Sequence, residues 1–404
     1  MFSLKSKLDH NLRINLDKSL QQNYRVLIKC KRFEDNIEKK ILSLKGTLIC
    51  SIKSQGLIAA NLSQRSIYRL IEYPEVNYIC FDEYALLCAM SISTATGGRS
   101  FEKFNFTGKG ISIGLIDTGV FPHPDLSSPH SKILKFTDLI NDIKYPYDDH
   151  GHGSFIAGIL CGSGISSKNL YKGIAEKSSL ICYKAFNSTG KGYVSNILCA
   201  LESLIEESEH LNVKVICLPF ELISHNMFII SLFHKLFKLA NEKNIIVVIP
   251  SGSSPNGEGS MNPLCFSSDC LVVGGINNSK SSPVPYIYSA SSCYSKTHKP
   301  DLSVACVNIT SINTDKNYIS QKNGIKIYSP RLETPYITYT GTSISAAFIS
   351  AICSLIFEAN PSLTFKDISS LLKLYSNNMD IDKNFIGDGI LDTKRLFTML
   401  ANKK

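Results

Sequence analysis

Ile111-Ser112-Ile113-Gly114-Leu115-Ile116-Asp117-Thr118-Gly119 is the stretch on which the fold turns. An apolar run of this length, closed by Asp-Thr-Gly turn chemistry, reads as a strand buried on both faces. Similar runs recur at Leu180–Ala185, Val213–Leu218, Ile245–Ile249 and Cys270–Val273. Helical apolar spacing marks Gly153–Cys161, Val194–Ser208, Phe228–Asn241, Ser345–Ala359 and Thr364–Leu374. Strands alternating with helices predict an α/β domain with a mostly parallel central sheet and helices on both faces. Ligands of such sheets bind beyond the carboxyl ends of the strands, and Asp117 stands at one of those ends.

A smaller region comes first. Residues 1 to 22 are polar, basic and aperiodic, and read as a flexible lead-in. Residues 23–90 then carry a β-α-β-β-α-β order. Tyr24–Cys30 alternates as a strand, and Ile37, Ile41 and Leu44 share a helical face. Thr47–Ser51 and Leu57–Leu62 form a hairpin pattern, Gln64–Glu72 a second helix and Val76–Phe81 a last strand. That order predicts a small ferredoxin-like α+β domain. Residues 91–108, rich in Ser, Thr and Gly, read as a linker to the main domain at 109–404.

Composition narrows the classes. The chain has 404 residues, 44% hydrophobic and 19% charged, which suits a large α/β domain plus a smaller one. The first residues contain no apolar core of a secretory signal. The longest apolar stretch, Ile344–Phe357, is broken by serines and too short to span a bilayer, so it reads as a buried helix. Thirteen scattered cysteines with no CxxC pair suggest a reducing cytoplasm over a disulfide framework or a zinc site. The net charge of +9 comes mostly from dispersed lysines, without a basic stripe interleaved with aromatics, so nucleic acid is not an expected partner. A chain rich in Lys, Ile and Asn and lacking Trp suggests a bacterial genome of low GC content.

Two further segments carry chemistry: Gly151-His152-Gly153-Ser154-Phe155-Ile156-Ala157-Gly158 and Gly341-Thr342-Ser343-Ile344-Ser345-Ala346. Singly, Asp117 could be a turn residue, His152 a surface or metal histidine beside His150, and Ser343 a helix cap. Together, in the order Asp, His, Ser and flanked by small residues, they resemble the triad of the subtilisin-like serine proteases. The resemblance runs from about Gly108 to Gly389. It is nearest to the intracellular subtilases of spore-forming bacteria of the AprX type, in Thr118–Leu126, Pro146–Asp149, Tyr171–Ala175 and Lys299–Leu302. An α/β hydrolase is excluded, because that fold needs Gly-x-Ser-x-Gly and places Ser first.

The resemblance implies a serine endopeptidase in which His152 takes the Ser343 proton and Asp117 orients the imidazole. The Ser343 backbone N–H, at a helix N-terminus, would face the oxyanion. It also implies that residues 23–90 are an inhibitory propeptide, with the tail Tyr84–Met90 lying in the cleft and open to self-cleavage. A permanent domain is the alternative. The implied substrate edges are Gly190, Lys191 and Gly192 on one side and Leu218, Pro219, Phe220 and Glu221 on the other. The expected partners are a polypeptide substrate and the chain's own propeptide. No cofactor or metal is expected, apart from a weak hint of calcium at Asp125. The implied location is cytoplasmic, with spore association as a variant.

Departures from the family pattern qualify the activity. Ser253 stands where the family places an oxyanion asparagine, with Asn256 nearby as a substitute donor. Pro219 has no N–H to offer a substrate strand, and Glu221 adds charge and bulk where the family has bare backbone. Ser154, Phe155, Ala347, the Ser289–Tyr294 loop and Val304-Ala305-Cys306 also differ. Two expectations follow: a slow or selective serine endopeptidase, or a pseudoprotease serving as a regulatory module, for example in spore germination.

Overall fold

A computed structural model describes residues 4–31, 34–88, 91–92, 106–223, 225–255, 259–278, 282–292 and 298–402. The chain divides into two compact units, Met1–Tyr84 with Tyr193–Glu202, and Ala85–Gly192 with Ser203–Lys404.

The first unit begins with a helix, α1 (His10–Asp17), where the sequence suggested a flexible lead-in. Asp9 caps it by accepting from the N–H groups of Asn11 and Leu12. Leu8, Leu12 and Leu16 recur every fourth residue, so they share one face and are buried. The polar residues between them hide that stripe from a scan by composition. Then follow β1 (Asn23–Cys30), α2 (Glu34–Ser43), β2 (Thr47–Ile52), β3 (Leu57–Ser63), α3 (Gln64–Leu70) and β4 (Val76–Phe81). The sheet order is β2-β3-β1-β4, antiparallel throughout, as a ferredoxin-like order requires. Alternation in β1 sends Val26 and Ile28 to one face, where they meet Ile37 and Ile41 of α2 and Ile67 and Leu70 of α3.

Tyr193–Glu202, the first part of helix Val194–Glu206, belongs to this unit. Asp82 accepts from the N–H and hydroxyl of Ser195, at 2.9 and 2.6 Å, and so caps that helix. Arg25 Nε donates to Asp82 at 2.6 Å, and the guanidinium lies 3.6 Å from the Tyr193 ring centroid. Burial pushes the Asp82 carboxyl up, against the pull of Arg25.

The second unit opens with β5 (Tyr84–Leu87), from Ala85 on, and β6 (Ser91–Ile92), and is built on β7 (Ser112–Asp117). Its main sheet continues with β8 (Ile133–Asp138), β9 (Ser179–Lys184), β11 (Val213–Cys217), β13 (Ile246–Pro250), β14 (Leu271–Asn277) and Leu302–Ala305. The parallel order is Leu302–Ala305, β14, β13, β11, β7, β9, β8. Short strands β10 (Lys191–Tyr193) and β12 (Phe220–Leu222) lie outside it. Strand order reverses at β7, which opens a crevice beyond its carboxyl end.

Ile113 and Leu115 of β7 join the core that holds helices His152–Cys161 and Thr342–Ala359. Gly114, which alternates with them, faces Leu204 on the opposite side of the sheet. Helices therefore cover both faces. Thr342–Ala359 has the length and composition to cross a membrane, yet 89% of it is buried inside this unit. Cys182, Cys217 and Cys353 fill the core as small hydrophobes.

Candidate active site

Asp117 ends β7 and is fully buried. Its carboxylate accepts the Thr118 N–H at 2.7 Å, and both its oxygens lie within 2.8 Å of His152 Nδ1. A carboxylate can only accept, so Nδ1 carries the proton and Nε2 presents a lone pair. Among the described residues, neither His152 Nε2 nor Ser343 Oγ has a hydrogen-bond partner, and both are buried. Neither the base nitrogen nor the hydroxyl is committed to another described protein group.

The His152 helix starts at Gly151, whose φ of 101° favours glycine. Its first turn is held by Asp148, which the sequence reading quoted within Pro146–Asp149 without assigning it a role. Asp148 Oδ1 accepts from Thr118 Oγ1, His150 N and Gly151 N at 2.8, 3.1 and 2.8 Å. Its Oδ2 accepts from Ser154 N and Ser154 Oγ at 2.8 and 2.7 Å. Thr118 Oγ1 in turn accepts from Gly153 N at 2.9 Å. The end of β7 and the first turn of the helix are thereby one hydrogen-bonded unit, which fixes the distance from Asp117 to His152. The only hint of this in the sequence is an acidic pair just before a Gly-His-Gly turn.

Lys184, at the end of β9, is fully buried beneath the same turn. It donates to Thr118 O and Asp149 Oδ1, each at 2.6 Å. His150 sits beside His152, and its pKa is lowered by burial and by that neighbour, with Asp148 opposing.

Thr342–Ala359 has Gly341 as its N-cap, so Ser343 lies in the first turn, where helix N–H groups have no intrahelical acceptor. Thr342 Oγ1 donates to Gly252 O at 2.9 Å and ties this turn to the end of β13.

Ser253, which the resemblance sets where the family has an oxyanion asparagine, has both its donors engaged in the structure. Ser253 N donates to Glu221 Oε2 at 3.1 Å, and its hydroxyl donates to Glu221 Oε1. Glu221 therefore occupies both donors of Ser253. Asn256 lies outside the described residues.

The chain's own segment Ala85–Leu87 runs antiparallel to β12, with Leu87 opposite Phe220, Leu86 opposite Glu221 and Ala85 opposite Leu222. On the other side Leu87 N donates to Gly190 O at 3.3 Å, and β10, which contains Lys191 and Gly192, is the neighbouring strand. The pairing covers Phe220 and Glu221 of the expected edge and extends to Leu222. Leu218 N donates to Val248 O and so belongs to the main sheet, whereas Leu222, not foreseen, joins the edge. Pro219 is the gap between them.

Cys88 follows this pairing and is buried. Its thiol is pushed far up by burial and then by the Glu221 charge, against a hydrogen bond with Thr342. Beyond residues 89–90, which are not described, Ser91 and Ile92 pair with Thr340 and Tyr339, just ahead of Ser343.

Asp125 accepts from Ser166 N at 3.0 Å and from Tyr336 Oη at 2.7 Å, one through each oxygen. Among the described residues, no cluster of three or more His, Cys, Asp or Glu could hold a metal.

A family model described as the subtilase family matches residues 108–389. Serine protease AprX of Bacillus subtilis (strain 168) is 31% identical over 301 residues, 71% of this chain and 66% of that protein, just under two thirds of its length. Subtilisin of Bacillus sp. (strain TA39) is 25% identical over 362 residues, 86% of this chain and 78% of that protein. Among solved structures, fervidolysin from Fervidobacterium pennivorans, described as a keratinolytic enzyme related to subtilisin, superposes with a TM-score of 0.69 at 13% identity. It covers 93% of this chain and 61% of its own. Sphericase gives a TM-score of 0.59 at 22% identity, covering 72% and 94%. At these identities the structural likeness speaks for the fold alone.

Proposed function

This chain belongs to the subtilase family, and on that premise we propose that it is a serine endopeptidase acting through Asp117, His152 and Ser343. His152 Nε2 removes the Ser343 proton as Oγ attacks the scissile carbonyl. The same nitrogen then returns the proton to the leaving amine, and water releases the acyl group by the reverse path. Asp117 holds the proton-bearing Nδ1 and stabilises the imidazolium. The observation that carries the proposal is the buried Asp117–His152 pair, whose Nε2 is left without a partner, as Ser343 Oγ is.

The first substrate is the chain itself. Ala85–Leu87 lies between two edges as a substrate strand would, with Cys88 as the residue before the cut. The proposed self-cleavage site is the Cys88–Ala89 bond, which makes residues 1–88 an inhibitory propeptide. Turnover is slow, because Ser253 is committed to Glu221 and the Ser343 N–H is left to stabilise the oxyanion. The burial of ten of the described cysteines as thiols in apolar surroundings supports a reducing compartment.

The pseudoprotease reading draws on the same Glu221–Ser253 pair. One measurement separates the two. Intact mass after expression should give fragments 1–88 and 89–404 for the wild type and full-length chain for Ser343→Ala. Full-length wild type after long incubation would favour the regulatory module.

A further inference from the structure

Of the described cysteines, ten are buried, and the two that remain partly open, Cys50 and Cys199, are neighbours. Cys50 lies in β2, where its thiol donates to the carbonyl of Ser195 at 3.7 Å. Cys199 is four residues on in the same helix, and a helical side chain leans over the carbonyl one turn earlier. The two thiols accordingly hydrogen-bond each other. Both residues belong to the first compact unit. No step of the proposed mechanism uses them.

We propose that Cys50 and Cys199 are a disulfide-forming pair, oxidised by small-molecule disulfides such as oxidised glutathione. One thiolate attacks the oxidant's S–S bond, forming a mixed disulfide and expelling one glutathione thiolate. The second protein thiol gives up its proton and displaces the other glutathione. Two protein thiols and one glutathione disulfide become one protein disulfide and two glutathione thiols. The contact with Cys199, and then burial, pushes the Cys50 thiol up, so the first attack is slow and the pair stays reduced until oxidant accumulates.

The consequence rests on the self-cleavage reading above. The cut after Cys88 falls between residues 50 and 199, so the disulfide would keep residues 1–88 covalently attached to residues 89–404. Such an oxidised, nicked protein holds its inhibitory segment at very high effective concentration. Reduction lets that segment leave.

The test treats the full chain and its Ser343→Ala variant with oxidised glutathione. Free thiols are then blocked with iodoacetamide and the peptides mapped by mass. The expected result is a linked Cys50–Cys199 peptide in both proteins, absent in Cys50→Ser and Cys199→Ser. In the nicked wild type, the two fragments should migrate together without reductant and apart with it. Peptidase activity should rise about tenfold or more on reduction, and Cys50→Ser should lack this rise. Finding both cysteines alkylated after oxidation overturns the proposal. Because Ser343→Ala forms the bond without cleavage, a failure of self-processing would not be mistaken for a failure of the pair.

Discussion

Replacing Ser253 by Asn alone should recover only part of the missing oxyanion stabilisation. A lone oxyanion donor is worth ~10²–10³ in turnover. In this chain, however, the carboxylate of Glu221 accepts from both Ser253 N and Ser253 Oγ. An asparagine amide at the same place would face the same acceptor. Hydrogen bonds to a charged group contribute about 1.5–3 kcal/mol, which holds the amide on Glu221 for all but roughly 1 part in 10 to 1 part in 150. The single variant Ser253→Asn should therefore gain on the order of tenfold. Glu221→Gly combined with Ser253→Asn should gain the full ~10²–10³-fold. The assay is kcat on a peptide carrying Ala-Leu-Leu-Cys before the cut, with active sites counted by fluorophosphonate. If Ser253→Asn alone reaches the full gain, Glu221 does not sequester the donor. If the double variant labels at Ser343 yet gains nothing, the oxyanion argument itself is wrong.

Other consequences are more local. Asp148→Asn keeps one acceptor oxygen but turns its NH2 toward the N–H and hydroxyl of Ser154, so kcat should fall by about 10–10²-fold with KM little changed; a change confined to KM would contradict the positioning role. Leu12→Ala should destabilise the first unit by ~2–5 kcal/mol in denaturant titrations, because Leu12 is fully buried in its core; a loss under ~0.5 kcal/mol would return α1 to the status of a loose lead-in. Burial lowers the pKa of His123, His150 and His234 from the ordinary 6.5. The unfolded chain then binds more protons than the native one below that pH, so stability is complete above 6.5 and declines as pH falls toward the depressed values. A thermal-melt series from pH 8 to 5 should show this decline, and a flat or rising Tm would contradict it.

Much of the architecture is legible because its pieces are strongly patterned. The run ending at Asp117 is buried on both faces and has nothing to confuse it with a helix, and the strand occupies Ser112–Asp117. The five foreseen helices also formed, each within a few residues of its sequence limits, whereas Thr393–Asn402 was not foreseen. Edge strand Ile133–Asp138 escaped notice, since Lys135 interrupts its apolar character, Leu134 faces solvent and the strand is only half buried. Helix α1 was hidden for a related reason: Leu8, Leu12 and Leu16 are a thin stripe in polar sequence.

In the site, small residues around Asp117, His152 and Ser343 made the triad visible by its local context. Asp148 and Lys184 were not visible, because their roles depend on which backbone groups the fold brings to them. The Glu221–Ser253 contact joins residues 32 apart in sequence, and side-chain pairing of that kind has no periodic signature.

The central claim is that His152 activates Ser343, and covalent labelling tests it most directly. Folded full-length protein, incubated with a fluorophosphonate and analysed by peptide mass, should carry one adduct, on Ser343. That adduct should vanish in Ser343→Ala and form at least ~10²-fold more slowly in His152→Ala and Asp117→Asn. An adduct on another residue, or labelling of Ser343 at the same rate without His152, would contradict the account.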